Sequence, residues 1–169
     1  RVEVSATDGD LLIADSTASP GVSYRTKLTL STEQAATSGT SIDFTGIPSW
    51  AKRISILLDE VSTSGVSALL VQIGDSGGVE TASYRSTVGN SAAAASSTAG
   101  FILTTANVAA GTYSGLIILN LTDAANFTWI SGSSLGRTDA ADNFQGGGSK
   151  SVSAVLDRVR ITTVGGADT

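Results

Sequence analysis

Histidine, cysteine and methionine are all absent from this 169-residue sequence. Without cysteine there is no disulfide, no thiolate nucleophile and no thiolate metal site. Without histidine the chain has neither the commonest metal ligand nor the usual general base at neutral pH. Charge is scarce: ten Lys and Arg against fifteen Asp and Glu leave a net charge of −5. That balance gives no long-range attraction for nucleic acid or an anionic membrane. No apolar run approaches the roughly 18 residues that span a bilayer, so membrane insertion is not expected either. Long helices are missing too, because no window of a dozen residues carries an apolar stripe at three- and four-residue spacing.

What is present is period-two alternation. In R-I-S-I-L-L-D, Ile54, Ile56 and Leu58 alternate with Arg53, Ser55 and Asp59. Leu69, Val71 and Ile73 repeat the pattern, as do Leu28 with Leu30, Ile42 with Phe44, and Val159 with Ile161. Such spacing puts the aliphatic side chains on one face of a strand. Leu116 to Leu121 are apolar on both faces, which predicts a central strand covered on each side. T-S-G, D-S-G-G, G-T-Y-S-G and Q-G-G-G-S read as turns between these strands. Residues 91–100, rich in alanine, read as loop or a short strand of small residues. The fold class expected is all-β, an antiparallel β-sandwich with a jelly-roll-like path. It would occupy residues 24–169, after a docking segment and linker over residues 1–23 that ends near Pro20 and Gly21. The sequence begins at Arg1, and V-R-I-T-T runs into V-G-G-A-D-T, a turn with no returning strand. A longer parent chain with one more strand is therefore expected.

G-D-S-G-G at 74–78 looks like the nucleophile loop of chymotrypsin-like proteases, with Ser76 as the attacking group. That chemistry needs a nearby base, and the three lysines Lys27, Lys52 and Lys150 have polar or charged neighbours with no sign of desolvation. The loop reads instead as a glycine-rich connection returning through Val79 to Tyr84. Paired carboxylates could hydrolyse glycosides, but Asp59 and Glu60 are adjacent on a strand and face apart. Asp139, Asp142 and Asn143, or Asp8, Asp10 and Asp15, offer oxygen ligands for calcium, but neither cluster has the EF-hand spacing, and Asp is also a good turn residue. Q-G-G-G-S-K-S lacks the glycine and helix of a phosphate loop. No residue is assigned to catalysis, to a cofactor or to a metal. The candidates for contact with a receptor or glycan are Tyr84, Arg85, Trp129 and Arg137. Trp129 and Trp50 also read as packing residues, Trp50 sealing a sandwich edge. Asn120 and Asn126 head glycosylation sequons, and the buried look of its strand argues against Asn120.

The stretch F-T-G-I-P-S-W-A-K-R-I-S-I-L-L-D-E-V-S-T-S-G, the following L-L-V-Q-I-G-D-S-G-G-V-E-T and the closing L-D-R-V-R-I-T-T-V-G-G-A-D-T together resemble a domain near the C-termini of virion proteins of tailed bacteriophages and prophages. The resemblance covers about residues 25–169 and carries no catalytic signature. It implies a fibre-like or tail-associated structural protein on the virion exterior that helps adsorption to the host surface. It implies a homotrimer, joined to other virion proteins through the N-terminal segment. A glycan-binding module acting on bacterial surface sugars is the alternative, with a carboxylate-based depolymerase behind it.

Overall fold

The computed structural model describes residues 10–14, 22–26, 29–166 and 168. The chain divides into two units, residues 1–33 and 34–169. In the first, β1 (Asp10–Ala14) pairs antiparallel with β2 (Val22–Thr26), Asp10 lying opposite Thr26 and Ala14 opposite Val22. Tyr24 belongs to this hairpin. Asp8, Asp15 and Leu28 lie outside the described residues, and Leu30 sits in irregular chain, exposed to solvent rather than in a strand.

The second unit contains β3 (Ser41–Thr45), β4 (Arg53–Ser62), β5 (Leu69–Asp75), β6 (Gly78–Val79), β7 (Arg85–Gly89), β8 (Ala94–Ser97), β9 (Phe101–Ile102), β10 (Thr112–Asp123), β11 (Thr128–Arg137), β12 (Asp142–Ser151) and β13 (Arg158–Thr163). A short 3-10 turn, Val164–Gly166, follows. One sheet has six strands in the order β4-β10-β11-β12-β7-β8. The other runs β3-β13-β5, and the far edge of β5 is shared by β9 at Leu70 and Val71 and by β6 at Gly74 and Asp75. Every ladder is antiparallel.

The alternating aliphatic residues explain how the sheets meet. Ile56, Leu58, Ile117, Leu119, Leu135 and Phe144 from the six-stranded sheet share one core with Val71, Ile73, Val159 and Ile161 from the five-stranded one. The protein is therefore all-β, with two antiparallel sheets closing on a common interior. Burying each such side chain contributes about 1.5–3 kcal/mol, which offsets the ordering of the strands.

Several sequence expectations change. The strand buried along its whole length is β5, not β10. In β10, Ile117 and Leu119 point inward while Leu116 and Asn120 are exposed. Q-G-G-G-S and G-T-Y-S-G are not turns but lie within or run into β12 and β10. The glycines serve close backbone approach: a Cβ on Gly148 would sit 2.5 Å from the Arg85 carbonyl oxygen of β7. Within 91–100, Ala94–Ser97 form the short edge strand β8. Both edges of β13 are bonded, to β3 and β5, so a strand following Gly166 would find no open edge there.

Candidate functional site

The D-S-G-G loop is a tight connection between β5 and β6, with Gly78 at φ +136°, a backbone conformation that side-chain-bearing residues rarely adopt. Asp75 is buried, and its carboxylate accepts the Gly77 N–H at 2.8 Å and the Ser153 hydroxyl. Those bonds, the Ser153 hydroxyl first, hold the Asp75 carboxyl below its ordinary range. Ser76 is exposed at the tip. The loop is thus a structural staple between β5 and the chain after β12.

Lys150 corrects the view that no lysine is desolvated. Its side chain is 5% exposed, with Nζ 2.5 Å from Glu80 Oε2 and 5.3 Å from the centre of the Tyr84 ring. Glu80 also accepts the Ser153 N–H at 2.6 Å. Burial alone would raise the Glu80 pKa, but the Lys150 ammonium and the Ser153 N–H outweigh it and lower it. Because β12 carries Lys150 and Glu80 follows β6, this ion pair joins the two sheets, with the Lys150 side chain buried and that of Glu80 partly exposed.

Tyr84 is not a surface contact. It is 1% exposed, its hydroxyl accepts the Ile73 N–H at 2.7 Å, and its ring meets Phe101 edge-on at 5.0 Å. The same hydroxyl lies within bonding distance of the Ile73 and Glu80 carbonyls. Burial drives its pKa up. Arg85 is exposed on β7, opposite Ser149. Arg137 ends β11 and is paired bidentately with Asp139, Nη2 to Oδ2 at 2.7 Å. That guanidinium draws the Asp139 carboxyl down to about 2. Asp142 accepts the Asn90 side-chain amide. Among the described residues no three carboxylates gather as a metal would require. Asp59 and Glu60 straddle a bulge where both are exposed, Glu60 adopting φ +49°. The four candidates from sequence are therefore scattered, and none converges with another on a common cleft.

Trp129 is buried, 3% exposed, on the inner face of β11. Its indole Nε1 is the buried side-chain polar atom that finds no partner among the described residues. The residue lines a cleft of about 120 Å³ together with Ser49, Lys52, Leu121, Phe127 and Leu156. Three local structures build this cleft. Ala51 N–H bonds the Pro48 carbonyl and closes the turn holding Ser49 and Trp50. Asp123 accepts the Ala125 and Asn126 N–H groups, shaping the turn that presents Phe127. Val152 N–H bonds Phe127 carbonyl oxygen, bringing the chain after β12 to the same end. Trp50, expected to seal an edge, is instead 48% exposed.

The outer face of the six-stranded sheet is a second unusual surface. Leu57 is 75% exposed and lies directly opposite Leu116, itself 38% exposed. Ile130 is 46% exposed opposite Asn120, and the half-buried Ile118 lies between them. Asn120, which the sequence placed in a buried strand, faces outward here. These outward aliphatics lie on the neighbouring strands β4, β10 and β11.

No family model, curated protein or solved structure matches this chain.

Proposed function

We propose that this chain is a non-enzymatic module of a bacteriophage virion, carried on the exterior as part of a fibre-like or tail-associated protein and aiding adsorption to the host surface. The observation that supports it most is how the polar groups are used. Asp75, Glu80, Lys150, Ser153 and Tyr84 are tied to one another or to backbone across the interior, while the outer sheet face leaves aliphatic side chains in solvent. Such an economy suits a body that must hold shape and bind others of its kind. A jelly-roll-like path accords with successive strands β4 and β5 lying in different sheets.

Assembly as a homotrimer, which the sequence resemblance implies, has a natural interface. Three copies meeting through Leu57, Leu116, Ile118 and Ile130 would cover the face left open in one. At about 25 cal/mol per Å² of apolar surface, covering this face adds to the stability of each copy. The direct test is immunogold electron microscopy of the parent phage with antibody to this domain. Label on a fibre or spike is expected; label confined to the host interior would refute the proposal.

A further inference from the structure

From the distribution of unpaired charge, we infer that one end of the second unit binds an acidic polysaccharide. The register of the strands defines that end. Arg53 of β4 lies opposite Asn120, Asn120 opposite Ile130, Ile130 opposite Ser149 and Ser149 opposite Arg85, so these residues form one row across the six-stranded sheet. The turn at 48–51, Lys52 and the β10–β11 turn lie just beyond that row. Ile130 borders the aliphatic face, whose Ile118, Leu116 and Leu57 lie farther along the strands. β3 begins and β13 ends at the opposite end, where Ser41 faces Thr162 and Thr163 faces Leu69. The chain thus enters and leaves the sandwich away from Arg53.

In this unit Arg137, Lys150, Arg158 and Arg160 are ion-paired with Asp139, Glu80, Asp157 and Asp43. The remaining cations, Lys52, Arg53 and Arg85, are exposed, make no side-chain bond among the described residues, and all stand at this one end. The carboxylates near them are already engaged: Asp75 by Gly77 and Ser153, Asp123 by Ala125 and Asn126, Glu80 and Asp157 by their own cations. The acid surplus lies at the far end, in Asp59, Glu60, Asp139, Asp142 and Asp168 against Arg137 alone. Even Asp59, on the same strand as Arg53, is about 20 Å from it. That exceeds the Debye length of about 8 Å at physiological salt, so the acidic end does not cancel the basic one.

The spacing of the cations points to the class of ligand. Arg53 and Arg85 stand four strand intervals apart, about 19 Å. That suits a polymer with sparse charge, unlike duplex DNA with one charge per about 1.7 Å. An arginine fork bonds a sugar carboxylate through two parallel hydrogen bonds. Asn120 and Ser149, between the arginines, offer polar groups to sugar hydroxyls. Trp50, 48% exposed in the adjoining turn, offers an aromatic surface to the C–H face of a pyranose. This inference rests on the proposed function only for the source of the polymer, a bacterial surface.

The full chain is titrated at physiological ionic strength with polygalacturonate, with alginate, with duplex DNA, and with the methyl ester of polygalacturonate, which keeps the backbone and removes the charge. Binding is followed by calorimetry and tryptophan fluorescence. Saturable binding of a uronate polymer is expected, with an emission change that a Trp50→Phe variant loses. The methyl ester should be silent and DNA about tenfold weaker or more. Lys52→Gln with Arg53→Gln, and Arg85→Gln by itself, should each weaken binding about threefold or more, and the triple variant about tenfold or more, with circular dichroism unchanged. Asp59→Asn with Glu60→Gln makes the far end less acidic and should alter binding less than about twofold. The inference is overturned if both uronate polymers bind more weakly than about 1 mM, if the methyl ester or DNA matches them, or if the folded triple variant binds like the parent. It is overturned equally if the far-end variant strengthens binding as much as the triple variant weakens it, since net charge alone would then be acting. None of these outcomes alters the immunogold labelling, so the two readings fail separately.

Discussion

At the residue scale, the Lys150–Glu80 pair joins the two sheets with the lysine side chain buried. Removing one partner strands a charge in the core, which typically costs 3–5 kcal/mol, whereas replacing both with apolar groups is often neutral. Glu80→Gln is therefore expected to destabilise by about 3 kcal/mol in urea unfolding. Glu80→Leu with Lys150→Met should recover most of the loss. Acid should act on the same groups. Folded Glu80 and Asp75 titrate below their ordinary values of 4.5 and 3.8, so the unfolded chain takes up protons first as pH falls. Their contribution is full above about pH 4.5 and is lost as pH drops through the lowered folded values. Asp139, with its ordinary value of 3.8 drawn to about 2, extends the loss to lower pH. Urea midpoints should be flat from pH 7 to 5 and fall between pH 4 and 2; a midpoint that rises on acidification would contradict this. Little of this was legible in the sequence. The burial of Lys150 depends on Glu80, seventy positions away, and Tyr84, in the connection between β6 and β7, read as a surface residue because its hydroxyl partners are backbone groups that no side-chain pattern announces.

At the element scale, the strands themselves were legible wherever aliphatic residues alternated, as in β4, β5 and β13. Glycine misled. G-G-G in β12 signals a turn locally, but its purpose is to let β7 approach, which only the pairing reveals. Gly148→Val should therefore cost about 2–4 kcal/mol by thermal or urea unfolding, because its Cβ would collide with backbone that cannot yield. A substitution tolerated without loss would mean that β7 and β12 lie farther apart than described. Hydrophobicity alone likewise could not distinguish β10 from β5, since both carry long aliphatic runs. The difference lies in what covers the second face: β10 keeps Leu116 exposed, whereas Gln72 of β5 bonds the Ala99 carbonyl and is buried. The end of the six-stranded sheet shows the opposite concern. The edge strand β4 carries Arg53 and Asp59 and breaks its ladder with a bulge at Asp59 and Glu60, devices that limit edge-to-edge aggregation.

At the scale of the whole molecule, composition indicated what chemistry would be hard for this chain, and alternation indicated two sheets. The cleft at Trp129 was not legible, because it is assembled from a turn at 48–51, the β10–β11 turn and the chain after β12. The open outer face was visible only as the unusually apolar run from Leu116 to Leu121. If that face joins copies of the chain, charge placed on it should separate them without unfolding either sheet. Leu57→Lys with Ile130→Lys is expected to leave the β-sheet circular dichroism unchanged while abolishing association. The most direct measurement is the molar mass of the parent chain in solution by size-exclusion chromatography with light scattering. Three chains of 16.9 kDa each are expected, falling to one in the double variant. A parent chain that runs as a monomer at every concentration would contradict the proposed assembly.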